Sequence, residues 1–175
     1  MNVKTELQKN QTMLVLMPSL EYNKDILDII RGLAGASICY VTLNKTADSL
    51  RELFKKSKVN VNNIIFIDAI SKTLKSEPYQ TNYCYYVSSP AALEELSLTM
   101  GKFLKHEFQY LIFDSLTNLM IYQKRDAVIK FISSIVNKIR ASKTKAVFYA
   151  LNIKEQSELI KESSMFVDKV IQLGK

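Results

Sequence analysis

Tyr110-Leu111-Ile112-Phe113-Asp114-Ser115 runs four apolar or aromatic residues straight into a carboxylate and a hydroxyl. An uninterrupted run of this length reads as a strand covered on both faces, and the abrupt change at Asp114 puts an acid at its carboxyl end. Working outward, short apolar runs alternate with stretches of helical period. Thr12 to Met17 is a strand stopped by Pro18, and Asp25 to Leu33 sets Ile26, Leu27, Ile29, Ile30 and Leu33 at helical spacing, closed by Gly32 and Gly35. Ser37 to Leu43 gives a second strand, Ala47 to Lys56 a helix through Leu50, Leu53 and Phe54, and Asn63 to Ile67 a third strand ending on Asp68. Ser71 to Thr81 contains Pro78 and no clear period, so it reads as a loop into a strand at Tyr83 to Ser88.

Ser89-Pro90 predicts the start of a helix with Leu93, Leu96, Met100, Phe103 and Leu104 on its apolar face. Beyond the Asp114 strand, Asp126 to Arg140 carries a wide apolar stripe, and Lys145 to Leu151 is another strand. Glu155 to Glu162 reads as a short helix and Met165 to Leu173 as a final strand. Parallel strands need crossover connections that cover both sheet faces, so the class is α/β, a three-layer α/β/α sandwich on a mainly parallel sheet. Ligands in such sheets sit beyond the carboxyl ends of the strands, which gathers Pro18 to Asp25, Asn44-Lys45, Asp68 and Asp114-Ser115.

The length of 175 residues predicts one domain over residues 1–175, with residues 1–11 as a polar N-terminal segment. No stretch reaches the roughly 18 to 20 apolar residues that span a bilayer, and Met1 to Gln11 lacks the pattern of a secretory signal. The expectation is a cytoplasmic protein with no membrane span. Cys39 and Cys84 lie in apolar strand-like runs and read as small buried thiols, with no metal site; His106 has no nucleophile or orienting group beside it. A net charge of +7 keeps a nucleic-acid partner open, but the lysines are dispersed and lack interleaved aromatics, which reads as solvated surface. Tyr83, Tyr85 and Tyr86 read as sheet packing rather than base-stacking residues. Asp68 invites comparison with a receiver domain, but Pro18-Ser19 and Asn152-Ile153 stand where that fold needs an acidic pair and a lysine.

The order of segments from Thr12 to Leu173 resembles the RecA/KaiC-like branch of the P-loop ATPases. Leu111-Ile112-Phe113-Asp114-Ser115-Leu116-Thr117 looks like the Walker B strand of KaiC-like proteins. Phe166-Val167-Asp168-Lys169-Val170-Ile171-Gln172-Leu173 is similar to the late segment in which an aspartate precedes an apolar strand, and Tyr40-Val41-Thr42-Leu43 with Asn44-Lys45-Thr46 looks like the second strand and its loop. The resemblance implies a P-loop NTPase fold, ATP and magnesium as cofactors of active members, and assembly into rings or filaments.

The departures from that pattern bear on function. The first strand of the family is followed by G-x-x-x-x-G-K-[ST], whose backbone amides cradle phosphate. Here the loop reads Pro18-Ser19-Leu20-Glu21-Tyr22-Asn23-Lys24-Asp25, and none of the four glycines lies in it. Lys24 falls at the lysine position, but Pro18 and Asn23 replace the glycines and Asp25 replaces the hydroxyl. Asn44 and Lys45 stand where the family carries water-activating acids, and neither serves as a carboxylate base. The expectation is a degenerate member lacking Walker A: a pseudo-ATPase with no catalytic residue, no metal and no cofactor, acting as a regulatory or structural protein-interaction subunit or homo-oligomer. One alternative is an ATPase with a variant loop that binds ATP and Mg through Lys24, Asp114 and Ser115; the other is a nucleic-acid-binding module. On the leading reading Asp114 caps local backbone amides at the strand end.

Overall fold

The computed structural model describes residues 2–174. Their strands are β1 (Thr12–Met17), β2 (Ile38–Thr42), β3 (Ile64–Asp68), β4 (Cys84–Tyr86), β5 (Tyr110–Asp114), β6 (Lys145–Leu151) and β7 (Lys169–Gln172). Their helices are α1 (Val3–Lys9), α2 (Tyr22–Gly32), α3 (Ala47–Lys56), α4 (Ser71–Leu74), α5 (Leu93–Phe103), α6 (Leu116–Tyr122), α7 (Arg125–Arg140) and α8 (Ser157–Ser164). The strands form one sheet in the order β4-β3-β2-β5-β6-β1-β7, every pair parallel, so the sheet expected to be mainly parallel is wholly so among the described residues.

Each face carries its own core. Helices α1, α2 and α3 cover one face through Leu7, Ile26, Ile30, Leu50 and Phe54, while α5 to α8 cover the other through Leu96, Leu116, Ile132, Ile135 and Leu159. All six residues of β1 are buried because β6 and β7 flank it and helices close both faces. Edge strand β7 buries only Ile171. Local signals match: Thr46 accepts the Ser49 amide at 3.1 Å to cap α3, with Asp48 in its first turn and Lys55 and Lys56 in its last, complementing the helix dipole.

Several elements differ from the sequence expectation. The polar N-terminal segment contains α1: the Asn2 side chain accepts the Lys4 and Thr5 amides at 3.0 and 3.4 Å, and Val3 and Leu7 are buried. Ser89-Pro90 sits in a turn closed by the Ala92 amide on the Ser89 carbonyl (3.1 Å), so α5 begins only at Leu93. The stretch expected to be loop holds the single-turn α4, and α6 follows the Asp114 strand directly. The final strand is confined to Lys169–Gln172, because Asp168 turns its carboxylate back onto the Gln11 and Thr12 amides at 3.0 and 2.9 Å. Cys39 and Cys84 are free buried thiols, as expected, and burial pushes the Cys84 pKa up to about 12. Among the described residues no helix is long and apolar enough to cross a membrane.

Candidate functional site

Strand alternation puts Asp114 on the same face as Ile112, toward α2 and α3, where Tyr40 of β2 and Tyr149 of β6 also point. Asp114 and Ser115 are both 0% exposed, so this carboxylate is sealed from solvent. Tyr22, the first residue of α2, donates its phenol hydroxyl to Asp114 Oδ1. Tyr40 donates to Oδ2 at 2.6 Å, and Asn44 Nδ2 donates to Oδ1 at 3.2 Å. The partners are thus three side chains brought from 70 to 92 residues away, not the local backbone amides the sequence suggested. Ser115 faces the start of α6: its hydroxyl donates to Asn118 Oδ1 at 2.6 Å and shares a hydrogen bond with Thr117 at 2.9 Å. The peptide joining Asp114 to Ser115 is cis.

Burial raises the Asp114 pKa above the usual carboxylate range, although the Tyr22 and Tyr40 hydroxyls, the Lys45 ammonium and the Asn44 amide all favour its charged form. Burial, and then the Asp114 charge, push the Tyr22, Tyr40 and Tyr149 phenols well up, so all three stay protonated. Tyr149 stands edge-on to Tyr22 with ring centroids 6.4 Å apart. Its hydroxyl and Asn44 Oδ1 are buried without a protein partner among the described residues.

The structure separates the sequence-predicted residues. Lys24 has a side chain 69% exposed and pairs with Glu21 at 3.7 Å. The lysine that reaches the cluster is Lys45, whose Nζ donates to Asn23 Oδ1 and lies 5.9 Å from the Tyr22 ring centre. Between β1 and α2 the chain makes only a tight turn over Pro18 to Glu21, in which the Glu21 amide donates to the Pro18 carbonyl at 3.2 Å. Pro18 packs against Gly174, where a Cβ would come within 2.9 Å of Pro18 Cγ; Gly174 also has φ +67°. Leu20, in the same turn, is 100% exposed. This geometry does not fit a magnesium-bound triphosphate: Pro18 has no amide to offer, the Glu21 amide is committed, and the carboxylate lies under two phenols.

Asp68 is also fully buried, but its oxygens accept from the Ala47, Ile70 and Ser71 amides at 2.8, 2.7 and 2.8 Å and from the Ser71 hydroxyl at 2.6 Å. It fastens α3 and α4 to β3 and has no free edge. Among the described residues no three His, Cys, Asp or Glu side chains gather as metal ligands.

Comparison with solved structures gives the architecture a relative. A KaiC-like protein from the hyperthermophilic archaeon Pyrococcus horikoshii OT3 superposes with a TM-score of 0.65 at 12% identity, over 93% of this chain and 70% of that one. The fold is that of the KaiC-like proteins. A second Pyrococcus horikoshii OT3 structure matches with a TM-score of 0.61 at 10% identity, over 100% of this chain and 89% of its own. No protein-family model matches the chain, and no curated protein matches its sequence. Within this RecA/KaiC-type fold, the residues that sequence reasoning missed are Tyr40 and Tyr149. Alternation along β2 and β6 was the available signal, since it places both on the Asp114 face.

Proposed function

We propose that the chain is a non-catalytic RecA/KaiC-like domain, a pseudo-ATPase that serves as a regulatory or structural protein-interaction subunit. One observation carries this reading: the Tyr22 phenol occupies the Asp114 carboxylate from the position where a phosphate loop would begin its helix. Magnesium at such a carboxylate keeps several waters and shares phosphate oxygens, which needs an open, solvated edge. Exposing Asp114 means breaking hydrogen bonds to a charged acceptor, each worth about 1.5 to 3 kcal/mol, and expelling an aromatic ring from the core. Asn44 and Lys45 after β2 supply no base to activate water, and Asn44 is itself tied to Asp114.

Calorimetric titration with magnesium-ATP and magnesium-ADP tests the reading. The expected result is no heat of binding at sub-millimolar nucleotide. Micromolar affinity abolished by Lys24→Ala would establish the variant-loop ATPase instead. DNA binding that weakens steeply with added salt would establish the nucleic-acid module.

A further inference from the structure

We infer that the outer face of α5 is the two-fold interface of a homodimer, with Leu98 of each copy seated over Gly101 of the other. Glu94, Leu98, Gly101 and Lys105 recur at i, i+4, i+7 and i+11, which lines them up along one side of α5 and its closing turn. None of them is buried, and Leu98 is 59% exposed. Two hollows flank Leu98. One, of about 500 Å³, opens over Gly101 between α5 and the end of α7, walled by Leu98, Leu104, Ala141 and Lys138 and rimmed by Lys102 and Lys105. The other is a shallow, open depression along Ala91, Ala92 and Leu93, bordered by Glu94 and Glu95. The face is therefore basic at one end, acidic at the other and apolar between.

That arrangement is complementary to itself. An antiparallel second copy placed with its Leu98 on Gly101 sets its Lys105 against Glu94 and its Glu94 against Lys105. At 1.5 Å rise per residue the two ion pairs lie about 16 Å apart, either side of the dyad. Lys102 of the copy then falls opposite Ser97, one turn from Glu94. Glu94, Lys102 and Lys105 have no ion-pair partner within the chain among the described residues. Lys138 is already fixed, its Nζ donating to the Ser97 hydroxyl at 2.8 Å and the Ser97 carbonyl at 3.3 Å, so it forms wall rather than rim contact. Gly101 supports the same conclusion. A Cβ there would lie an ordinary 3.7 Å from Lys138 Nζ, so the monomer has room for a side chain, and alanine would favour the helix by about 1 kcal/mol. Glycine keeps the hollow open for the copy's Leu98. The dyad is independent of whether nucleotide binds at Asp114.

Sedimentation equilibrium on the wild-type chain and three surface variants tests the dyad. The wild type is expected to dimerise at micromolar concentrations, the weak end for interfaces of standard size. Leu98→Asp and Glu94→Lys each weaken association about tenfold or more, with an unchanged circular dichroism spectrum. Glu94→Lys combined with Lys105→Glu exchanges both ion pairs and returns dimerisation to within about threefold of wild type, as paired charges require. A wild type that stays monomeric, a dimer indifferent to both single variants, or a charge exchange that fails to restore it would each overturn the inference.

Discussion

Replacing Tyr22 with phenylalanine removes one oxygen from the Asp114 cluster and leaves the ring, its edge contact with Tyr149 and the α2 packing in place. Asp114 Oδ1 then keeps only the Asn44 donor at 3.2 Å, while Oδ2 keeps Tyr40 at 2.6 Å. A buried hydrogen bond to a charged acceptor contributes about 1.5 to 3 kcal/mol, so Tyr22→Phe should cost about 2 kcal/mol in urea unfolding wherever Asp114 is ionised, with the m-value unchanged. The sign of its pH dependence follows from which form the bond favours. Tyr22 stabilises charged Asp114, so its loss raises the folded-state pKa further above the unfolded value. The deficit of the variant should therefore grow as pH rises through the raised folded-state pKa, from about 1 kcal/mol with protonated Asp114 to the full amount once it is ionised. In an Asp114→Asn background the same substitution should cost about 1 kcal/mol less, a coupling typical of groups in direct contact. A loss below about 0.5 kcal/mol at every pH would mean that Tyr22 does not hold the carboxylate.

Three further outcomes are expected. Asp114→Asn removes a group whose folded pKa is raised; the wild type, relative to this variant, should lose stability as pH rises above about 4, read from paired denaturation curves. Asp168→Asn acts in the opposite sense. Burial works against charge there, but the Thr12 amide and hydroxyl, the Gln11 amide and Arg140 outweigh it and hold the carboxyl below its usual value, so its contribution is present above about pH 3.8 and lost on acidification through the lower folded value. Lys24→Ala should change stability by no more than about 0.5 kcal/mol, since its pairing with Glu21 is exposed, and should leave the magnesium-ATP titration flat.

The sheet was legible because its strands are continuous apolar runs between helices of clear period: Thr12–Met17, Ala47–Lys56 and Lys145–Leu151 have the boundaries that the pattern predicts. The short helix expected over Glu155 to Glu162 was found as α8 (Ser157–Ser164), but α1 and α6 were not legible. Only Val3 and Leu7 of α1 are buried, too few for a period, and its stability comes from the Asn2 cap and from Lys145, which donates to the Leu7 and Gln8 carbonyls from 137 or more residues away. Helix α6 follows β5 without a capping side chain, so no start signal marks residues 116–122 in the sequence. Proline at 90 suggested a helix start, but the turn it begins closes before Leu93. At the candidate site the absence of glycine from Pro18 to Asp25 was plain, and so was a tyrosine at position 22. Its destination was not, because the bond to Asp114 joins residues 92 apart and depends on the helix starting at Tyr22 rather than Asp25.

On the proposed reading a tyrosine hydroxyl, and not a metal-bound phosphate, occupies Asp114. A crystal structure of the chain grown with millimolar magnesium and a non-hydrolysable ATP analogue measures this directly. The expected result is Tyr22 and Tyr40 on the two Asp114 oxygens, Pro18 against Gly174, and no triphosphate at the turn. Triphosphate density along Ser19 to Asp25, with Tyr22 swung out and magnesium near Asp114, would contradict it.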